Sequence, residues 1–352
     1  MDKVVIGMSG GVDSSAAAKL LLDKGYDVYG VTFKTWKDGD TNLVASGDKL
    51  ISDAISVANF LGIYHDIIDV STDFAKYIID YFCESYRSGI TPNPCIVCNK
   101  KIKWNYLIDY ADKLGIKLVA TGHYANIIKL DNGRYSINRN NSSKDQSYAL
   151  YCLSQEDLSR TIFPLVDYSK DEIRKIASDN NIPVATKSDS QDICFIPDHD
   201  YVSYVENRLK TKFKEGNFID VNGNVIGQHK GIINYTVGQR KGLNLALGKP
   251  CFVKDINPDT NDITIGSIDD IMSTEVMIDN VNYMGTTEFE PDKNYFVKIR
   301  YNHKGDLAKV SKVDNQLRIV YKNPQKGIAK GQSAVIYDND NVMAGGVIVW
   351  VK

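Results

Sequence analysis

Along the first two hundred residues, apolar and polar positions follow two rhythms. Short apolar runs at Val4–Gly7, Asp27–Thr32, Tyr64–Val70 and Leu118–Gly122 read as buried strands. Between them, Ser14–Lys24, Lys49–Leu61, Ala75–Arg87 and Trp104–Leu114 read as helices, most of them closing near a glycine. A further helical stretch runs from Lys170 to Asn180 and is stopped by Asn181 and Pro183. Strands alternating with helices predict a parallel sheet covered on both faces. Such sheets bind ligands at the carboxyl ends of their strands, where Gly7–Ser15 and Thr121-Gly122-His123 both fall.

After Pro197 the pattern shortens. Phe218–Val221, Cys251–Ile256, Asp262–Gly266, Tyr295–Tyr301, Leu307–Val313 and Gln316–Tyr321 read as strands between Asn-, Asp- and Gly-rich turns. They predict two small β-rich domains divided near Ile271–Glu275. The expected fold class is therefore α/β, a parallel-sheet domain over residues 1–198, followed by β-rich domains over 199–270 and 275–352, the last barrel-like. Neither β-rich part carries an evident catalytic constellation, which suits them to holding a substrate.

The first strand breaks into Gly7-Met8-Ser9-Gly10-Gly11-Val12-Asp13-Ser14-Ser15 and then a helix. Glycines admit close backbone approach, and amide groups backed by a helix N-terminus cradle anions. Ser9, Ser14 and Ser15 add hydroxyl donors. No Gly-Lys-Ser/Thr ending follows, so this is not the Walker loop. A tight turn with no ligand is the bland alternative, but it needs neither two glycines, three hydroxyls nor an Asp.

The second constellation is Thr91-Pro92-Asn93-Pro94-Cys95-Ile96-Val97-Cys98-Asn99, followed by Lys100, Lys101 and Lys103. Two prolines predict a stiff, extended loop carrying both cysteines into a helix. A helix N-terminus and three lysines predict a lowered thiol pKa, which favours nucleophilic chemistry. The third constellation, Lys187–Ile196, sets Cys194 in a polar loop beside Asp189 and Asp192, which either tune that loop or simply face solvent.

At 352 residues, 43% hydrophobic and 24% charged, the chain has the composition of an ordinary globular protein of two or three domains. No apolar run approaches a membrane span and no signal-peptide pattern opens the chain, so the expected location is the cytoplasm, away from membranes. Six cysteines at this length fit reduced thiols, metal ligands or catalysis better than a disulfide framework. Of these, Cys83, Cys152 and Cys251 read as core residues. The net charge of −2 does not announce a nucleic-acid binder, although Val276–Lys352 carries 11 Lys/Arg against 8 Asp/Glu. His65, His199, His229 and His303 lack metal-ligand spacing.

SGGVDS, TPNP-x-x-x-CN-x-x-IKW, ATGHYA (Ala120–Ala125), DQSYAL (Asp145–Leu150), SQDICFI and Tyr235–Gly242 occur in that order. The first resembles the PP-loop of ATP pyrophosphatases. The ordered set resembles the tRNA-specific 2-thiouridylase (MnmA/TrmU) family over essentially the whole chain. The resemblance implies an RNA-binding sulfurtransferase of tRNA modification, which uses ATP to adenylate the 2-oxygen of the wobble uridine at position 34 and replaces it with sulfur. ATP binding would fall to Gly7, Met8, Ser9, Gly10, Gly11, Val12, Asp13, Ser14, Phe33 (where the family usually has Met) and Gly122, with Mg²⁺ offsetting the phosphate charge. Contacts with tRNA would fall to Asn93, Pro94, Cys95, His123, Asp145, Gln146, Ser147, Arg300, Tyr301 and Ser333, and on charge alone to Gln239-Arg240-Lys241.

Two sulfur routes stay open at this point. In one, Cys194 carries a persulfide received from a cysteine desulfurase or relay protein, Cys98 is the nucleophile, and a transient Cys98–Cys194 disulfide results. In the other, Cys95, where many relatives have Asp, joins Cys98 and Cys194 as ligands of a 4Fe–4S cluster with one open iron. The implied partner is the anticodon stem-loop of Lys, Glu and Gln tRNAs. The rivals are another PP-loop adenylating enzyme and a non-catalytic nucleotide sensor, the latter having no need of cysteines on polar loops.

Overall fold

The computed structural model describes residues 1–36, 41–139, 144–188, 193–196 and 200–352, with the backbone alone for 41–46. The expectations for Asp189, Asp192 and His199 lie outside the described residues. Contacts divide the chain into two compact units: Met1–Ile78 with Cys95–His199 and Asn339–Val342, and Ile79–Pro94 with Asp200–Asp338 and Met343–Lys352.

The first unit is built on a five-stranded parallel sheet in the order β3-β2-β1-β4-β7. Its strands are β1 (Lys3–Gly7), β2 (Asp27–Lys34), β3 (Tyr64–Asp69), β4 (Leu118–Thr121) and β7 (Thr161–Ile162). Val4, Val5 and Ile6 are 0% exposed, as a central strand covered on both faces requires. Helices α1 (Val12–Asp23), α2 (Thr41–Leu61) and α9 (Lys170–Asp179) share one core with Val4, Ile6 and Val28. Ala16, Ala17 and Ala18 keep α1 thin enough for close packing in that core. On the other face Val5, Val31 and Val119 meet α6 (Asn105–Lys113) through Leu107, Tyr110 and Ala111.

β1 has β2 on one side and β4 on the other, so the chain changes direction at β1 and opens a crevice at the carboxyl ends of β1 and β4. The rest of the unit includes α3 (Ser71–Phe74), α5 (Pro94–Cys98) from Cys95 onward, α7 (Ser147–Leu150), α8 (Gln155–Arg160) and the hairpin β5 (Asn126–Lys129) with β6 (Tyr135–Asn138). Asn138 also pairs with Asn341, one of the four late residues that cluster with this unit.

The stretch expected as a helix over Ala75–Arg87 is helical throughout, as a π-helical turn at Ala75–Ile79 followed by α4 (Asp80–Arg87). One expectation fails here: Cys95 and Cys98 do not ride an extended loop, since α5 begins at Pro94 and runs straight into a π-helical turn, Asn99–Trp104, and then α6. Proline is well placed at the first position of a helix, where its missing N–H has no helical partner to lose.

In the second unit, α10 (Tyr201–Leu209) meets α4 through the Tyr86 and Tyr201 rings, 5.0 Å apart, and an Arg208–Asp80 ion pair at 2.7 Å. A four-stranded sheet has the order β10-β11-β8-β9, from β8 (Gly216–Ile219), β9 (Val225–His229), β10 (Phe252–Asn257) and β11 (Asp262–Gly266). Six further strands are β12 (Met272–Tyr283), β13 (Tyr295–Lys298), β14 (Asp306–Val313), β15 (Gln316–Lys326), β16 (Ser333–Asp338) and β17 (Asn341–Val351). They run in the order β12-β15-β14-β13-β16-β17, and β12 also pairs with β17, closing a barrel around Val276, Val297, Leu317 and Ile319. The expected α/β sheet followed by β-rich parts is what the chain forms.

Candidate active site

The turn after β1 is shaped by two close approaches. Gly10 takes φ +67°, and a Cβ there would lie 2.3 Å from the Leu50 carbonyl oxygen. A Cβ on Gly122, at the end of β4, would lie 2.7 Å from the Ser14 nitrogen. Only glycine lets β4 and α2 press against the turn this tightly. Gly11 is the N-cap of α1 and offers no side-chain cap, so the first-turn amides point into the crevice without one. Ser9 N–H donates to Ser14 Oγ at 3.2 Å, and Ser14 Oγ and Ser15 Oγ donate to the Gly11 carbonyl at 3.2 and 2.8 Å. Met8 and Val12 are 2% and 4% exposed, so they shape the turn through their backbones.

Asp13 Oδ1 accepts from Lys170 Nζ at 2.6 Å and from the Tyr124 hydroxyl at 2.8 Å. Lys187 Nζ donates to the Gly10 carbonyl at 2.9 Å and to Asp53 at 2.5 Å. Sequence reasoning missed these partners, because isolated lysines in polar stretches read as solvent-facing. The one signal was Ser169…Glu172, a capping box that fixes Lys170 as the first residue of α9. The Phe33 ring is not brought to this turn: it packs against Tyr106, with centroids 6.1 Å apart, on the α6 face of the sheet.

The thiols lie in the same unit. All are unbridged, with Cys95 and Cys194 exposed and Cys98 half-buried. Cys98 and Cys95 both raise the Cys194 pKa, and Lys103 lowers it, so these four side chains share one electrostatic environment. The expected lowering of the nucleophile's pKa is corrected. Burial pushes the Cys98 thiol up, and the attraction of Lys103 does not overcome it. Cys194 has accessible surface, yet the protein crowding it withdraws enough water to push the thiol up to about 12. The other two lysines act elsewhere: Lys101 lies 5.9 Å from the Tyr77 ring, and Lys100 acts on Cys152. Cys152 and Cys83 are the buried thiols expected, each pushed up to about 12 by desolvation, whereas Cys251 is only half-buried.

Lys103 lies in the π-helical turn that begins directly after Cys98, and its charge reaches both the Cys98 and the Cys194 thiols. Asn99 fixes that turn by donating from Nδ2 to the Ala149 carbonyl at 3.0 Å.

Of the residues assigned to tRNA by resemblance, His123 is half-buried between Trp104 and Phe163, its Nδ1 2.8 Å from Thr121 Oγ1. Desolvation, reinforced by Lys103, holds it well below the usual histidine range, so it is neutral at pH 7. Gln146 Oε1 accepts from Tyr124 N–H, and Ser147 Oγ donates to Asp145 at 2.7 Å. Ser147 and Ser333 are 0% and 2% exposed, so their side chains face the fold and not solvent. Asn93 and Pro94 belong to the second unit by contact and Cys95 to the first.

Within the second unit, Thr91, Gln239, Arg300, Lys326 and Gln332 line a cleft of ≈ 560 Å³. Gly238 and Gly327 meet back to back beneath it, where a Cβ on Gly238 would lie 3.1 Å from Gly327 Cα. Tyr301 is 41% exposed, with Lys298 Nζ 5.8 Å from its ring centre. Arg240 and Lys241 are exposed.

As a test of iron, the three cysteines have suitable donor chemistry. Among the described residues, however, no three His, Cys, Asp or Glu side chains converge as a metal site. The described geometry therefore does not fit a cluster.

The family model described as the tRNA methyl transferase HUP domain matches residues 2–198. The tRNA methyl transferase PRC-barrel domain matches 203–267, and the aminomethyltransferase beta-barrel domain matches 273–348. The chain is 45% identical to the tRNA-specific 2-thiouridylase MnmA of Lachnoclostridium phytofermentans, over 99% of this chain and 100% of that one. It is 46% identical to the protein of the same name from Clostridioides difficile, over 98% of each. Among solved structures, the NMN synthetase of Francisella tularensis is similar at a TM-score of 0.34 and 19% identity, over 53% of this chain and 66% of that one. The chain belongs to the MnmA family of tRNA-specific 2-thiouridylases.

Proposed function

We propose that the protein is an ATP-dependent sulfurtransferase that converts the wobble uridine of tRNA to 2-thiouridine. The observation that carries this reading is the sharing of one environment by Cys98, Cys194 and Lys103, in the unit that also holds the glycine-rich turn. The turn suits a triphosphate: it offers uncapped helix amides and hydroxyls, held in shape by the close approach of neighbouring backbone to Gly10 and Gly122. Asp13 and Asp53 supply oxygen donors of the kind Mg²⁺ takes, and Mg²⁺ would lower the charge of the bound nucleotide.

The uracil 2-oxygen attacks the α-phosphorus and pyrophosphate departs with the bonding pair of the α–β bridge. The terminal sulfur of a Cys194 persulfide attacks carbon 2, and AMP leaves with the oxygen. Cys98 thiolate then attacks Cys194 Sγ and breaks its bond to the transferred sulfur, whose electrons form the thiocarbonyl. The resulting Cys98–Cys194 disulfide is reopened by an external thiol reductant. High resting thiol pKa values suit this order, since neither cysteine rests as a reactive thiolate even with Lys103 beside them.

Residues 1–198 perform this chemistry, and residues 199–270 and 275–352 hold the anticodon stem-loop. The cleft around Gln239, Arg300 and Lys326 supports that division, because it puts cations and amide groups where phosphates and base edges can be held. The sulfur donor is a persulfide-bearing protein such as a cysteine desulfurase or a relay, and the substrates are the Lys, Glu and Gln tRNAs. Among the described residues no helix is long and apolar enough to cross a membrane. The protein's work is in the cytoplasm, a reading that a tRNA substrate supports.

The test is anaerobic purification with iron and sulfide assays, followed by thiolation of tRNA with ATP and a persulfide donor. Iron-free protein is expected to thiolate, and Cys98→Ser and Cys194→Ser are expected to abolish the product. Activity that tracks iron content, or full activity in Cys98→Ser, would overturn the route.

A further inference from the structure

Two ammonium groups flank the glycine-rich turn, each held by its own carboxylate. Lys170 reaches from the first turn of α9 to Asp13 on the first turn of α1. Its placement follows from packing: Ile173 and Ala177 of α9 share a core with Ala16, Ala17 and Leu20 of α1. Lys187 sits on the other carboxylate, Asp53 of α2, and on the Gly10 carbonyl. These are not mobile surface lysines, since their side chains are only 12% and 27% exposed.

The turn itself supplies partial charges only, about half an elementary charge at a helix N-terminus. The ATP of the proposed reaction carries most of its negative charge on the two phosphates that leave together. Charge builds on that pyrophosphate as the α–β bridge breaks, so full positive charges are needed beside it. An ammonium has three donors. Among the described residues Lys187 has two of them engaged, leaving one for an incoming oxygen without breaking either contact. The carboxylates also keep both lysines oriented, which lowers the entropy of binding an anion there.

We propose that Lys170 and Lys187 are the cations that bind the pyrophosphate portion of ATP, with Asp13 and Asp53 as the groups that position them. This inference rests on the ATP-dependent reading above and assigns two residues that reading did not use.

Calorimetric titration of the full chain with ATP, AMP and inorganic pyrophosphate tests it, on the wild type and on Lys170→Met, Lys187→Met and Lys187→Arg. Each Met variant is expected to bind ATP and pyrophosphate about tenfold or more weakly, the loss of one charge-assisted hydrogen bond. AMP affinity is expected to stay within about threefold, and Arg at 187 to restore part of the loss. ATP affinity unchanged in both Met variants, or equal losses for AMP and ATP, would overturn the assignment, the second result marking a merely structural role. Wild type that binds no ATP would refute the functional reading itself, a result distinct from either.

Discussion

Replacing Gly10 with alanine probes the phosphate cradle at its tightest point. The residue's φ of +67° lies in the left-handed region, which disfavours alanine by about 1 kcal/mol. The new Cβ would also stand 2.3 Å from the Leu50 carbonyl oxygen, part of a helix backbone that cannot swing aside. Overpacking of this kind costs about 1–3 kcal/mol. Together these predict a loss of about 2–4 kcal/mol, or roughly 5–15 °C in the melting temperature of a unit this size. Gly133 is the matched control: its φ of +80° gives the same backbone penalty, but a Cβ there meets nothing within 4 Å. In thermal unfolding with and without ATP, wild type at a hundredfold excess over Kd gains about 2.7 kcal/mol. Gly10→Ala is expected to lose both the baseline stability and that ATP increment, and Gly133→Ala to lose only about 1 kcal/mol and keep the increment. If Gly10→Ala melted like Gly133→Ala and kept its full ATP shift, the close approach of α2 would not define the site.

The raised Cys98 thiol predicts that its alkylation accelerates about tenfold per pH unit from pH 7 to 9, and that Lys103→Gln slows it further; a plateau below pH 8 would contradict this. His123 stays neutral in the folded chain, so as pH falls through 6.5 only the unfolded chain takes up that proton and stability drops, by at most about 1.4 kcal/mol per unit for this one group. Urea unfolding between pH 7 and 5 should show a shallower slope in His123→Gln, and an unchanged slope would mean that His123 is protonated when folded. Affinity for tRNA is expected to depend only modestly on salt, because the 276–352 region is barely basic; a slope equivalent to about eight or more neutralised phosphates would refute that.

The strand–turn–helix at Val4–Ser15 was legible because its apolar run, its glycines and the helical spacing after it all favour one local structure. The two thiol-bearing segments were legible as chemistry but less so as structure. Pro94 fits an extended loop and a helix start equally well, and packing chose the helix. Nothing in the composition of Asn99–Trp104 distinguishes a π-turn from an α-turn, so which of the three lysines acts on Cys98 was hidden. Counting lysines near Cys98 predicted a lowered pKa, whereas its value depends on burial, which a residue count does not contain. The β5–β6 hairpin was overlooked despite Asn132-Gly133, since its strands are only four residues long. Lys170 and Lys187 lie 157 and 177 residues from the acceptors they reach, and only the fold brings them there.

The central claim is that sulfur passes from Cys194 to tRNA with Cys98 completing the transfer. A single-turnover experiment tests it most directly: load the iron-free chain with persulfide sulfur, add ATP and unmodified tRNA, and follow the Cys194 and Cys98 peptides and the nucleosides by mass spectrometry. The account predicts that the extra sulfur leaves Cys194 as 2-thiouridine appears in equal amount, with a Cys98–Cys194 disulfide formed in step. Thiolated tRNA appearing while the sulfur remains on Cys194, or with Cys98 still a free thiol, would contradict it.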